Sequence, residues 1–153
     1  MKKAYIRRFR EILRKFDQEL YLQNSASCCN GISLAQCHTL LEIEKNEEIS
    51  VSGLARNLWL DKSTVSRTVD GLVSMQLAVR TVPKENRRMA LIDLTESGRQ
   101  VCTDINYTND HYVKDVLKDF TEEELETILN LFGKLTRSMS AYRNKNEQED
   151  ASG

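Results

Sequence analysis

Near the start of the chain, apolar side chains recur at steps of three and four residues, the spacing that places them on one face of a helix. The pattern predicts a helix over residues 3–22 with a single apolar stripe, formed by Ile6, Phe9, Leu13, Phe16 and Leu20. Residues 24–31 are small and polar, which predicts a loop. Ser33 and Gln36 then have the spacing of a capping box, which opens a second helix ending near Glu44.

Between Ser50 and Leu94 the sequence predicts two short helices followed by two strands. Ser50 is a good cap for a short third helix ending at Leu58, and Asp61 is a good cap for a fourth. In the fourth helix the apolar residues at helical spacing are predicted to point inward: Val65, Val69, Leu72 and Val73.

Two strands are predicted after the fourth helix. Residues 78–82 and 89–94 are rich in strand-forming side chains, and Pro83, the only proline, marks the turn between them. The basic segment PKENRR lies in that turn. Helix, turn, helix and hairpin in this order predict a winged helix-turn-helix, in a fold that is mainly α with a small β-hairpin wing.

Two further helices are predicted to follow the hairpin. Thr95 caps the fifth, which is predicted to carry Cys102, Ile105, Tyr112 and Val116 on one side, with Cys102 on the inner face. Thr121 and Glu124 form a second capping box that opens the sixth helix. Its apolar stripe consists of Leu125, Ile128, Phe132, Leu135, Met139 and Tyr142. The polar residues after Arg143 predict a frayed or disordered tail.

The first and sixth helices both carry an apolar stripe and lie outside the predicted winged helix-turn-helix, an arrangement that commonly binds DNA. They could pack on their own core, or they could interlock with a second copy of the chain. We favour the second interpretation, because a two-fold dimer matches two-fold operators and doubles the phosphate contacts.

The amino-acid composition is consistent with the predicted fold and adds little to it. The chain has 153 residues, of which 40% are hydrophobic and 29% charged, which is ordinary for one globular domain. It contains no apolar run long enough to cross a membrane, and its charged N-terminus lacks the apolar block of a signal peptide. We therefore expect a cytoplasmic protein.

Charge is distributed unevenly although the net charge is only −1. Seven cations and three anions lie between Arg56 and Arg88, whereas four cations and eight anions lie between Asp119 and the C-terminus. This distribution is typical of a protein that presents only its middle region to phosphates. Hydroxyl groups at a helix N-terminus can donate to phosphates or bases, and an arginine can bind guanine with two hydrogen bonds.

The sequence argues against two other classes of function. The two histidines, His38 and His111, form no catalytic motif, and no glycine-rich phosphate loop is present, which argues against an enzyme. A winged helix that binds another protein instead of DNA is the second alternative. The polar face of the fourth helix argues against it, since a protein-binding surface tends to expose apolar anchors.

Three segments together resemble the MarR/SlyA family of transcriptional regulators: LDKSTVSRTVDGLV, ENRRMALIDLTESG and TEEELETILNLFGKL. The resemblance covers nearly the whole chain. It implies a homodimeric regulator, usually a repressor, that binds a near-palindromic double-stranded operator and is released by an effector. It also implies dimerisation helices at 3–32 and 118–143, a DNA-binding part at 33–94, a linking helix at 95–117 and a flexible tail at 144–153.

By position, the resemblance implies roles for eight residues. The major-groove face would be formed by Lys62, Ser63, Thr64, Ser66 and Arg67. In the wing, Arg87 and Arg88 would enter the minor groove and Lys84 would contact phosphate.

Three residues depart from the family pattern. Asn86 replaces the acidic residue that commonly precedes the paired arginines of the wing. Trp59 stands in the helix-turn-helix turn, where glycine is frequent, and Gly53 stands where an acidic residue would complete the cap begun by Ser50. The first departure leaves open which arginine enters the minor groove.

Four cysteines and one histidine form a candidate metal or redox site: Cys28, Cys29, Cys37, His38 and Cys102. Thiolates and imidazole suit zinc, copper(I) or thiophilic arsenic, and a thiol of lowered pKa would suit reversible oxidation. The residues that would bind zinc in the family's zinc-uptake regulators do not match fully, so zinc uptake is not inferred. Cys37 and Cys102 could equally be small core residues. The expected effector is therefore a soft metal, metalloid or oxidant, or else a small organic ligand, and no cofactor is required.

Overall fold

The computed structural model describes residues 2–26, 31–46, 48–82 and 90–150. These residues form six helices and a small sheet. The helices are α1 (Lys3–Ala26), α2 (Leu34–Asn46), α3 (Val51–Leu58), α4 (Lys62–Ser74), α5 (Glu96–Leu117) and α6 (Glu122–Asp150). The strands are β1 (Ile49–Ser50), β2 (Ala78–Thr81) and β3 (Leu91–Leu94). The predicted fold class, mainly α with a β-hairpin wing, is confirmed.

The chain divides into two compact units, Met1–Tyr107 and Thr108–Gly153. The boundary falls within α5. The first unit contains the complete helix-turn-helix and the sheet, and the second contains α6.

The sheet has three antiparallel strands in the order β1-β3-β2. β2 pairs with β3 in a hairpin register that sets Ala78 opposite Leu94 and Thr81 opposite Leu91. The predicted strands were slightly too long at both sides of the turn. β1 was not predicted at all, because two residues are too few to show an alternating pattern.

The core of the first unit lies between α2, α3, α4 and β3. Its fully buried large side chains include Leu40, Ile43, Leu54, Leu72 and Ile92. Val65, Val69 and Leu72 of α4 point inward as predicted. The prediction for Val73 was wrong, because that side chain is 37% exposed. Val73 directly follows Leu72, and adjacent helix positions point about 100° apart.

The predicted helix caps are confirmed by their hydrogen bonds. The Ser33 amide donates to Gln36 Oε1 at 2.8 Å, and the Gln36 amide donates to Ser33 Oγ at 3.3 Å. At α6 the Thr121 amide donates to Glu124 at 2.9 Å, and the Glu124 amide donates to Thr121 Oγ1 at 3.3 Å. Each reciprocal pair satisfies amides that a helix start leaves without a partner.

Three helices extend beyond their predicted ends. α1 continues to Ala26, α2 to Asn46 and α6 to Asp150. Apart from Ala26 the added residues are polar, and they include neither proline nor glycine, so nothing in them stops a helix. The disordered tail predicted after Arg143 is therefore helical as far as Asp150.

The start of α5 is fixed to the end of α4. Thr95 caps α5 by accepting from the Gly98 amide at 3.0 Å, and its hydroxyl donates to the carbonyl of Gln76 at 2.7 Å. The Thr95 amide donates to the carbonyl of Leu77 at 3.1 Å. A Cβ atom at Gly98 would lie 1.9 Å from that carbonyl oxygen, so this close approach requires glycine.

Along α5, Cys102 and Ile105 are buried as predicted. Tyr112 and Val116, which the sequence places on the same side of the helix, are 37% and 52% exposed. No helix among the described residues is both long enough and apolar enough to cross a membrane.

Candidate nucleic-acid interface

The orientation of α4 is set by its buried side. Val65, Val69 and Leu72 are completely buried, which turns the opposite side of the helix toward solvent. Ser63 and Arg67 are exposed on that side, Lys62 is exposed at the helix start, and Thr64 and Ser66 are partly buried. The structure therefore brings together the five predicted major-groove residues on one short helix segment.

The N-terminus of α4 is held by the Asp61 carboxylate. It accepts hydrogen bonds from the Thr64 amide at 2.8 Å, from the Thr64 hydroxyl at 2.6 Å and from the Ser63 hydroxyl. These bonds, the one from Ser63 being the largest cause, hold the pKa of Asp61 well below its usual range. The hydroxyl protons of Ser63 and Thr64 are therefore both donated to Asp61. The two hydroxyl oxygens can still accept hydrogen bonds from a partner.

Arg67 is placed to reach outward from the middle of α4. Its Nε donates to the carbonyl oxygen of Ser63 at 3.3 Å, one turn earlier, and the residue remains exposed. The terminal guanidinium nitrogens can therefore extend beyond the helix surface. Two such parallel donors are the geometry that recognises guanine.

An ion pair joins α4 to β2. Arg80 Nη2 lies 3.0 Å from the Asp70 carboxylate, and their side chains are 33% and 60% exposed. It neutralises the one acid on the exposed side of α4 between Lys62 and Ser74, which would otherwise repel phosphates. The charges of Asp70 and Arg80 are visible in the sequence, but their pairing is not. The two residues are ten positions apart, and only the fold brings them together.

Lys84, Arg87 and Arg88, together with Asn86, lie outside the described residues. The strands that carry this turn are described, and they form the hairpin that the prediction requires.

The two other departures from the family pattern have structural counterparts. Trp59 has φ 57° and ψ 41°, the left-handed conformation that glycine adopts without cost. At Gly53 an added Cβ would lie 2.8 Å from Ile49 Cγ1, so a larger residue there would need Ile49 to move. Ser50 nevertheless caps α3, accepting from the Gly53 amide at 3.0 Å.

The candidate thiol site is only partly described. Cys28 and Cys29 lie outside the described residues. Cys37 and Cys102 belong to the hydrophobic core, whereas the neighbouring His38 is exposed. Within the described ranges, no three cysteine, histidine or acidic side chains form a group able to hold a metal ion.

Burial determines the chemistry of Cys102. Desolvation, helped by the nearby charge of Glu44, raises the pKa of its thiol to about 11. The thiol is therefore protonated near neutral pH, which is the opposite of what a reactive cysteine requires. The geometry favours the alternative interpretation of this residue as a small core side chain.

A capped second helix with its polar side exposed, a preceding short helix and a β-hairpin define a winged helix-turn-helix protein. Comparison with known proteins agrees with this class. The MarR family model matches residues 30–89, which include α2, α3, α4 and β2.

Curated relatives and solved structures extend the match. The chain is 24% identical over 112 residues to the uncharacterized HTH-type transcriptional regulator YdgJ of Bacillus subtilis (strain 168), covering 73% of this chain and 68% of YdgJ. It is similar to a MarR family protein from Bacillus stearothermophilus, with a TM-score of 0.80, 20% identity and coverage of 92% and 99% of the two chains. It is also similar to Streptococcus pneumoniae FabT, solved in complex with DNA, with a TM-score of 0.77, 19% identity and coverage of 89% and 97%. The chain thus has the fold of the MarR-type regulators, and its helix-turn-helix part is similar in sequence to the MarR family.

Proposed function

We propose that the chain binds a near-palindromic double-stranded DNA operator as a homodimer and represses transcription until an effector releases it. The observation that carries the proposal is the exposed side of α4. Over the first two turns, Lys62, Ser63 and Arg67 are exposed to solvent, whereas Val65 and Val69 are fully buried. A helix of this kind can enter a major groove with its N-terminal residues against the bases.

Charge supports DNA as the partner. Lys62 and Arg67 add positive charge to the exposed side of α4, and Arg80 neutralises Asp70 at its far end. In the proposal, Arg87 and Arg88 of the wing enter the neighbouring minor groove, and Lys84 contacts phosphate. A structural relative, FabT, has been solved with DNA.

Exposed apolar side chains support the dimer. Every member of the predicted α1 stripe is at least 38% exposed, although Ile6, Phe9 and Leu13 would normally be covered. In α6, Phe132 and Met139 are 46% and 54% exposed. An exposed apolar stripe along a helix marks an interaction site. A second copy of the chain would cover it and would match a two-fold operator.

The effector is proposed to be either a thiol-reactive metal, metalloid or oxidant, or a small organic ligand. The raised pKa of Cys102 argues against that residue as the attacking thiolate. Thiol sensing would therefore begin at Cys28 and Cys29. Metal titration of the reduced protein should lower operator affinity, and a Cys28→Ser/Cys29→Ser variant should resist. An unchanged affinity in the wild-type protein would exclude metal sensing.

A winged-helix module that binds only proteins is the alternative. Apolar anchors on the exposed side of α4 would favour it. The first two turns of that side instead carry cations and hydroxyls, so the DNA proposal is preferred.

Substitution of Arg67 tests the proposal at the level of base recognition. Operators are first selected from a random duplex library with the full-length protein. Arg67→Ala should relax the preference at one position of each half-site and cost about 1–3 kcal/mol of binding free energy there. Arg7→Ala is the matched control, because Arg7 lies on α1 with an 84% exposed side chain. If both variants select the same sequence with the same affinity as the wild type, Arg67 reads no base.

A further inference from the structure

Trp59 lies in the turn between α3 and α4 in an unusual conformation. Its backbone is left-handed, with φ 57° and ψ 41°, and its side chain is 57% exposed. A bulky residue in this region is strained relative to glycine, which adopts it freely. Residues held in such conformations cluster at functional sites. Since so much of the indole faces solvent, burial in the core does not account for its presence here.

Two hydrogen bonds hold this turn in place. The Trp59 amide donates to the carbonyl of Arg56 at 3.4 Å, and the Leu60 amide donates to the carbonyl of Ala55 at 3.0 Å. This is the paired arrangement that commonly ends a helix around glycine. Because the backbone is held, the direction of the Trp59 Cα–Cβ bond is held as well, and the indole keeps only its side-chain rotamers.

The position of the turn places the indole beside the proposed reading helix. Trp59 precedes Asp61, the cap of α4, by two residues and Lys62 by three. At no more than about 3.6 Å per residue, its Cα lies within about 11 Å of that of Lys62. When the N-terminus of α4 meets the bases, the turn before it meets the edge of the groove, where the sugar-phosphate backbone runs.

We propose that Trp59 is a DNA-positioning residue, whose ring packs on a deoxyribose and whose Nε1–H donates to a phosphate oxygen. The inference rests on the proposed DNA-binding function and adds a residue to it. Tryptophan suits the role because it combines a large apolar surface with one polar donor. The contact involves no base edge, so it fixes the register of α4 without reading sequence.

The fluorescence of the wild-type protein tests this directly, because Trp59 is the only tryptophan. A dye-labelled duplex reports binding by anisotropy, and indole emission is recorded in parallel with the unlabelled duplex. The duplexes are a random sequence at low salt and an operator selected from a library. We expect indole emission to change with both duplexes and to saturate together with binding. Unchanged emission while anisotropy shows binding would overturn the inference and leave the DNA-binding function standing.

Two variants remove the ring while keeping the backbone conformation accessible. Trp59→Gly and Trp59→Asn both tolerate the left-handed region. Each should bind both duplexes about tenfold more weakly, the scale of one well-made contact. Their urea denaturation midpoints should not fall, which a merely structural role would not predict.

Gln76→Gly is the matched control. Gln76 is the other non-glycine residue with positive φ among the described residues, at 60°, but it follows the C-terminus of α4. Its replacement should leave affinity for both duplexes unchanged.

Three results separate the possibilities. Equal affinity of the Trp59 variants and the wild type would overturn the inference. So would a loss confined to the selected operator, because that would indicate base reading. If the wild-type protein binds neither duplex, the DNA-binding function itself fails.

Discussion

Cys37 and Cys102 show how burial changes the meaning of a residue type. In the sequence they belonged with Cys28, Cys29 and His38 to a candidate metal or redox site. In the structure both are core residues, 6% and 0% exposed. Because a thiol is as acceptable as a small apolar group in a core, the sequence could not separate the two roles.

The raised pKa of Cys102 predicts a loss of stability at alkaline pH. The folded state keeps its thiol protonated up to a pH of about 11, whereas the unfolded chain releases the proton from a pH near 9. The stabilisation is therefore complete below pH 9 and falls as the pH rises from 9 to 11. We expect a loss of about 2 kcal/mol in the free energy of unfolding.

Urea denaturation at pH 8 and at pH 10.5, in parallel on wild type and Cys102→Ala, measures this effect. The variant removes the titrating group but keeps a small apolar side chain, so the lysine and tyrosine contributions cancel in the difference. The same pH dependence in both proteins would show that burial does not hold the proton on Cys102.

The helix caps were predictable from the sequence, whereas the conformation of Trp59 was not. A cap depends on residues three positions apart, as in Ser33 with Gln36 or Thr121 with Glu124, and this spacing is visible directly. The left-handed backbone of Trp59 contradicts the local preference of its residue type and follows from the junction of two helices.

At the level of elements, α4 is tied to both neighbours that follow it. The Asp70–Arg80 ion pair connects it to β2, and Thr95 connects the segment after it to the start of α5. A shift of α5 would therefore be transmitted to the end of α4 through direct hydrogen bonds. The sequence predicted each of these elements, but only the fold shows that they are joined.

Substitution of Gly98 tests this junction. In Gly98→Ala the new Cβ would lie 1.9 Å from the Leu77 carbonyl oxygen, so one of the two backbones has to move. We expect a loss of about 3 kcal/mol in the free energy of unfolding, at the upper end of the usual cost of overpacking.

Gly133→Ala, also within a helix, is the control. The nearest atom to its Cβ is the flexible end of Arg137, at 3.3 Å. This variant should keep or raise stability, by up to about 1 kcal/mol from helix propensity. Equal denaturation midpoints for the two variants would mean that the α4–α5 junction is not tightly packed.

At the level of the whole molecule, the apolar stripe of α1 was correctly located but its partner remains a proposal. The periodicity of Ile6, Phe9 and Leu13 identifies one face of the helix, and the structure leaves that face at least 38% exposed within one chain. The apolar periodicity predicts that this face of α1 is covered, but it does not identify the surface that covers it. A second copy is the occupant that fits a two-fold DNA site.

The uneven distribution of charge along the chain is also a property of the whole molecule. Its net charge is only −1, so a general attraction to nucleic acid is not expected. In the proposed function, binding comes from the cations of α4 and of the predicted wing. Such binding releases counterions from the DNA and is therefore weakened by salt.

The dependence of DNA affinity on salt tests the central proposal most directly. The selected operator is titrated with wild-type protein at increasing salt, and the logarithm of affinity is plotted against the logarithm of salt concentration. Two copies making about six phosphate contacts should lose roughly a thousandfold in affinity between 50 and 200 mM salt. A flat response, or no measurable binding at low salt, would contradict the account of this chain as a DNA-binding regulator.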